Sequence, residues 1–146
     1  MEIKHLSYEH IDGLISLYEN NKKEFEHFTP HLFTRDEITR VIDSSISDLY
    51  YVVVFNKTVI GYGMLRGMDE GYNVPSLGIG VDKAVYGTGV STTLMDFLES
   101  TSRLSGYKKM RLRVFKENLR AYNFYIKLGY KYEPYDDKSV LGFKEL

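Results

Sequence analysis

The chain has no cysteine and no tryptophan among its 146 residues. Without thiols there is no disulfide, no thiolate metal site and no cysteine nucleophile, and the compartment is left open. No apolar run approaches the roughly 20 residues of a membrane-spanning helix. No basic-then-apolar leader pattern opens the chain, so a cytoplasmic location is the default expectation. The net charge is −1, and bulk electrostatics therefore favour neither nucleic acid nor an anionic membrane as partner. Internal repeats, low-complexity stretches and linkers are also missing. What is abundant is aromatic: 13 tyrosines and 8 phenylalanines, most of them expected in a core or in the wall of a pocket. The length suits one domain over residues 1–146 with a core of real size.

Hydrophobic periodicity alternates between strand and helix. Ile3 to Leu6 reads as a short strand, and Ser7 as the cap of a helix with Ile11, Leu14, Ile15, Leu17 and Tyr18 on one face. Lys22 to Phe33 is a connector rich in aromatic residues and histidine. Thr34 and Glu37 have capping-box spacing and open a second helix that carries Ile38, Val41, Ile42 and Ile46. Tyr50 to Phe55 and Val59 to Arg66 are strands joined by a turn at Asn56-Lys57. Leu77 to Val81 is a short buried strand, followed by a glycine turn and a helix to about Ser105. A strand at Lys109–Phe115, a helix from about Leu119 to Leu128, and strands near Tyr130–Glu133 and Val140–Lys144 complete the order.

The turn Tyr86-Gly87-Thr88-Gly89-Val90-Ser91 carries the chemistry. Glycines let a backbone turn its N–H groups inward, and the helix start that follows adds unpaired donors and partial positive charge. A strand, such a turn and a helix N-terminus make a phosphate site, to which the Ser91 hydroxyl can add a donor. A dinucleotide-binding fold would need a third glycine, where Thr92 stands, and a turn near the start of its domain. A plain strand-to-helix turn is the other alternative. Gly78 and Gly80 weaken a strand interior unless something approaches its backbone closely.

Two motifs give this order a resemblance to the GNAT N-acetyltransferase superfamily. The family's pyrophosphate motif, Arg/Gln-x-x-Gly-x-Gly/Ala, aligns with Tyr86, Gly89 and Ser91, of which only Gly89 keeps the usual residue. The second, Asn-x-x-Ala-x-x-x-Tyr-x-x-x-Gly-Phe/Tyr, is present in register as Asn118, Ala121, Tyr125, Gly129 and Tyr130. The resemblance implies an α/β (α+β) fold: a mixed, centrally splayed sheet of six or seven strands with helices on both faces. It implies acetyl-CoA as co-substrate and no metal. The pyrophosphate would lie on the backbone of Tyr86, Gly87, Thr88, Gly89, Val90, Ser91 and Thr92, with Ile79 and Val81 offering main-chain groups to the pantetheine and Asn118 also touching the coenzyme. Tyr125 occupies the general-acid position beside the sulfur.

The remaining roles follow the same likeness. Glu70, near the start of the fourth strand, is the expected base, with Asp69 as its neighbour. Phe25, Phe28, His31 and Phe33 are the expected acceptor wall, His27 lying in the same connector. Arg111, Arg113, Lys116 and Arg120 form a basic cluster. With no thiol to carry an acetyl group, direct attack by the amine is the simplest route. The expected partner is a small-molecule amine, an amino sugar among the candidates, with no nucleic acid and no membrane; a homodimer is left open. A non-catalytic acyl-CoA sensor and a protein or peptide N-acetyltransferase are the rival readings.

Overall fold

The computed structural model describes residues 1–146. Along the chain run β1 (Glu2–His5), α1 (Ile11–Asn20), α2 (Arg35–Ser44), β2 (Leu49–Phe55), β3 (Thr58–Arg66), β4 (Ser76–Val81), α3 (Val90–Leu104), β5 (Lys109–Phe115), α4 (Leu119–Lys127), β6 (Lys131–Pro134) and β7 (Ser139–Glu145). The order is the one that periodicity suggested. Asn56 and Lys57 take φ of 50° and 63°, the left-handed pair that a two-residue hairpin loop requires. Thr34 Oγ1 accepts from the Glu37 N–H at 3.3 Å and starts α2.

Two local expectations are corrected. A single 3-10 turn, Tyr8–His10, precedes α1, and the Ser7 N–H donates to His10 Nδ1 at 3.1 Å. The helix start is therefore fixed by a buried imidazole as well as by Ser7. Ile46, expected on the apolar face of α2, lies beyond its end and is 90% exposed. The N–H groups of Ile46 and Ser47 donate to the Asp69 carboxylate instead.

The seven strands form one sheet in the order β1-β2-β3-β4-β5-β7-β6. One face is covered by α1 and α2, packed through Leu14, Leu17 and Ile38 on Val52, Tyr62 and Met64. The other is covered by α3 and α4, where Leu94, Leu98 and Tyr125 meet Met110, Leu112 and Val114. Neighbouring strands are antiparallel except β4 and β5, which are parallel and share a single register pair, Ser76 with Arg111. There the Arg111 N–H donates to the Pro75 carbonyl at 3.0 Å. Beyond that pair the two strands part, and the facing edge of β4 from Leu77 to Val81 has no strand beside it. No helix is long and apolar enough to cross a membrane.

Candidate active site

The V between β4 and β5 opens into a cavity of about 950 Å³. Its walls come from both strands, the end of β3, the turn after β4 with the start of α3, one side of α4 and the connector after α1. The connector roofs the V on the α1/α2 face. The rings of Phe25 and Phe28 lie over Gly80 and Gly78, where an added Cβ would meet Phe25 Cζ at 2.7 Å and Phe28 Cε1 at 2.9 Å. His27 stacks on Phe115 of β5, with ring centroids 4.3 Å apart, and its Nε2 lies 2.6 Å from Glu117 Oε1. The close approach that the glycines of β4 implied is made, on this face, by rings of the protein itself.

At the open end, Gly87 and Gly89 take φ of 78° and 92°, with nothing within 4 Å of where a Cβ would stand. Gly89 caps α3 with no side-chain hydrogen bond. The N–H groups of Gly87, Gly89, Val90, Ser91 and Thr92 make no backbone bond, whereas those of Tyr86 and Thr88 bond to Lys83 and Val85. A turn with this many free donors at a helix start fits a pyrophosphate. Tyr86 stands where the family has Arg or Gln, and Arg120 of α4 lies over its ring, 3.5 Å from the centroid. A guanidinium is thereby returned to the turn from another element. Asn21, fully buried, fixes the approach to the turn: its Oδ1 accepts from the Lys83 N–H at 2.9 Å, and its Nδ2 donates to the Leu17 carbonyl.

Most of the expected coenzyme residues border this cavity: Ile79, Val81, Tyr86, Gly87, Gly89, Ser91, Thr92, Asn118 and Tyr125. The Val90 side chain goes into the core and leaves only its N–H to the turn. Thr88 is spent locally, with Oγ1 donating to the Val85 carbonyl. Asn118 caps α4 through Oδ1 to the Ala121 N–H at 3.4 Å, which leaves its NH₂ unused. Tyr125 is 7% exposed, in the wall of the cavity. Burial pushes its pKa well above the ordinary tyrosine value, with a smaller contribution from Tyr132. The neighbouring hydroxyls are committed elsewhere, Tyr130 to Glu99 at 3.2 Å and Tyr132 to the Tyr122 carbonyl at 2.7 Å.

The acceptor side departs from expectation. Glu70 is exposed on the turn after β3 and does not border the cavity. Asp69 is held by the N–H groups of Ser47 and Ile46, which lower its pKa. Proximity in sequence to β4 misled, because the turn at Gly67 and Gly71 carries both carboxylates away from the V. Phe25 and Phe28 border the cavity; Phe33 is core, stacked on Tyr18 at 4.6 Å. His31 is behind the wall. Its Nδ1–H donates to the Leu32 carbonyl at 2.8 Å, so its Nε2 accepts from the buried Tyr62 hydroxyl at 2.7 Å. Burial lowers the pKa of this imidazole. Arg66, Ser76 and Phe115 also border the cavity, and no local pattern pointed to them. Strand register alone could have found them.

The site thus joins a splayed sheet, a glycine turn with free N–H groups and a tyrosine in the wall between them. A profile of the acetyltransferase (GNAT) family matches residues 14–130. The chain belongs to that family, and acyl-CoA-dependent acetyl transfer is its class of activity. No curated protein matches it in sequence. The PaiA N-acetyltransferase of Thermoplasma acidophilum, solved in complex with coenzyme A, is similar over 99% of this chain and 98% of its own, with 21% identity and a TM-score of 0.83. An acetyltransferase from Thermus thermophilus aligns over 99% and 96% of the two chains at 14% identity and TM-score 0.81. A spermidine N-acetyltransferase chimera built from a Vibrio cholerae enzyme does so over 99% and 96% at 16% and 0.78. At these identities the likeness is one of fold.

Proposed function

We propose that this protein transfers an acetyl group from acetyl-CoA to the primary amine of a small molecule, with both bound in the V between β4 and β5. The free N–H groups from Gly87 to Thr92 hold the pyrophosphate, and Arg120 adds a cation beside it. The open edge of β4 at Ile79 and Val81 offers main-chain groups to the pantetheine amides, and the Asn118 NH₂ donates from the opposite wall. Acetyl-CoA supplies a thioester carbonyl as the electrophile. The new bond is N–C and the broken bond is C–S; the amine loses a proton and the sulfur gains one.

Tyr125 is the donor to that sulfur. Its raised pKa keeps the hydroxyl protonated at neutral pH, and the protein leaves the hydroxyl free in the cavity wall. That hydroxyl is the observation that carries the reading. Glu24, the one carboxylate bordering the cavity, pairs with Lys83, and His27 Nε2 faces Glu117, so water in the open cavity takes the amine proton. The experiment is Tyr125→Phe, which keeps the ring and removes the donor. It is expected to lower kcat about 10²–10⁴-fold with coenzyme affinity preserved. Tyr122, whose ring packs on Tyr132 outside the cavity, is the control, and Tyr122→Phe should be nearly silent. Full activity of Tyr125→Phe across pH would refute the assignment. Binding of acetyl-CoA without thiol release for any amine would favour an acyl-CoA sensor.

A further inference from the structure

At the vertex of the V, cross-strand register aligns Arg66 of β3, Ser76 of β4 and Arg111 of β5 in one row. Side chains alternate along a strand. Tyr62 and Met64, on the same side of β3 as Arg66, pack against α1 and α2, while Met110 and Leu112, flanking Arg111, pack into the opposite core. All three members of the row therefore face the α1/α2 side, at the edge of the roof formed by the connector.

Arg66 borders the cavity and donates Nη1 to the Pro30 carbonyl at 2.7 Å. Neither Arg66 nor Arg111 belongs to any ion pair of the chain. Arg111 Nε is buried and has no hydrogen-bond partner, an arrangement that costs stability until an acceptor arrives. Ser76 adds a hydroxyl between them. Arg113, one step along β5, differs: its Nη2 is 3.0 Å from Asp136 Oδ2 and its Nε donates to Ser139 Oγ. Among the residues bordering the cavity the only carboxylate is Glu24, which pairs with Lys83 at 3.6 Å toward the glycine turn. The cavity side of the row is thus rich in donors; the acid nearest Arg66 is Asp48, one residue before the Leu49–Leu65 pair as Arg66 is one after it, and its Oδ1 accepts from the Asp69 N–H at 3.0 Å.

A cavity end that offers Arg66 and Ser76 and no carboxylate suits an oxyanion better than a polycation. Strands lie about 4.8 Å apart, so Arg66 and Arg111 stand roughly 10 Å from each other across Ser76, within reach of one shared group. Resting on the acetyl-transfer reading, we propose that the acceptor is a small primary amine bearing an oxyanion, a carboxylate or a phosphate ester. Arg66 and Ser76, which border the cavity, bind that oxyanion, with Arg111 behind them, outside the cavity lining, as the second cation and the amine directed into the V. The anionic group sets specificity. If Arg66 served only to tie down Pro30, its loss would weaken all acceptors alike.

The test is thiol release from acetyl-CoA with paired acceptors: an amino acid and its amide, an amino-sugar phosphate and its dephosphorylated form, and spermidine. The charged member of a pair is expected to exceed its neutral counterpart about 10- to 100-fold in kcat/KM. Which pair shows the larger ratio separates carboxylate from phosphate. Arg66→Gln should erase the difference through KM, with acetyl-CoA affinity in calorimetry unchanged, and Arg66→Lys should keep part of it. Preference for spermidine or for the neutral members overturns the proposal, as does an Arg66→Gln loss shared equally by charged and neutral acceptors. If acetyl-CoA binds but no amine releases thiol, the acetyl-transfer reading fails. Calorimetry of each pair on the acetyl-CoA-loaded protein then decides the proposal: tighter binding of the charged member supports it, and equal binding overturns it.

Discussion

Gly80→Ala is a small change with a large expected effect. Gly80 pairs with Tyr62 across β3 and β4. The new methyl would stand 2.7 Å from Phe25 Cζ and 2.8 Å from Phe28 Cδ2. These are ring atoms in a packed cluster, Phe25 being 2% exposed and edge-on to Phe28 with centroids 5.6 Å apart, so neither can swing aside as a flexible chain end would. Overpacking of this kind costs about 1–3 kcal/mol. The smaller backbone entropy of unfolded alanine offsets about 0.4–1 kcal/mol of it. A net loss of about 1–2 kcal/mol should lower the melting temperature by roughly 3–7 °C. The rings roof the acceptor side, so the KM for the amine should rise while acetyl-CoA affinity in calorimetry changes little. Adding Phe28→Leu should recover part of the loss, giving a measurable coupling in a double-mutant cycle. Higher stability for Gly80→Ala would show that the rings are not there. A collapse of acetyl-CoA binding with unchanged melting would mean that the glycine is reserved for the coenzyme.

Gly89→Asp puts a carboxylate on the anion-binding turn at a φ of 92° where a Cβ meets nothing; acetyl-CoA binding in calorimetry should be lost with the fold retained by circular dichroism. Lys57→Gly relieves the left-handed backbone of the hairpin turn, φ 63°, and should add about 0.5 kcal/mol in denaturant melts. His31 has a folded-state pKa below its ordinary value, so its contribution to stability is complete above the unfolded value near 6.5 and is lost as pH falls below it toward the folded pKa. His31→Gln should flatten the fall in melting temperature across that acidic window, and an unchanged slope would refute the buried neutral imidazole.

What the sequence disclosed was what neighbours in the chain decide. The hairpin at Asn56-Lys57, the Thr34 cap and the strand periods of β2, β3 and β5 are local signals, and they fell at the observed places. So did the phase of α4: one face carries Tyr125 into the cavity wall while Tyr122, three residues earlier, turns outward to Tyr132. Distance in sequence misled wherever the path between elements mattered. Glu70 is close to β4 along the chain, yet its turn leads away from the V. His31 and Phe33 share the connector with Phe25 and Phe28, but the chain turns at Pro30 and buries the later pair beneath α1 and α2. Only half of the expected acceptor wall, Phe25 and Phe28, therefore borders the cavity.

The same distinction explains how an altered motif can serve. A turn that binds a diphosphate through backbone N–H groups constrains φ more than it constrains side chains, so Gly87 and Gly89 matter where Tyr86 and Ser91 are free to differ. On the proposed reading the cation at this turn comes from Arg120, on the helix that Asn118 caps. Tyr86 puts a flat ring where the family has Arg or Gln, and the ring seats the Arg120 guanidinium. Read position by position, the motif shows only a substitution at 86; read in space, a guanidinium still stands against the turn, carried by α4.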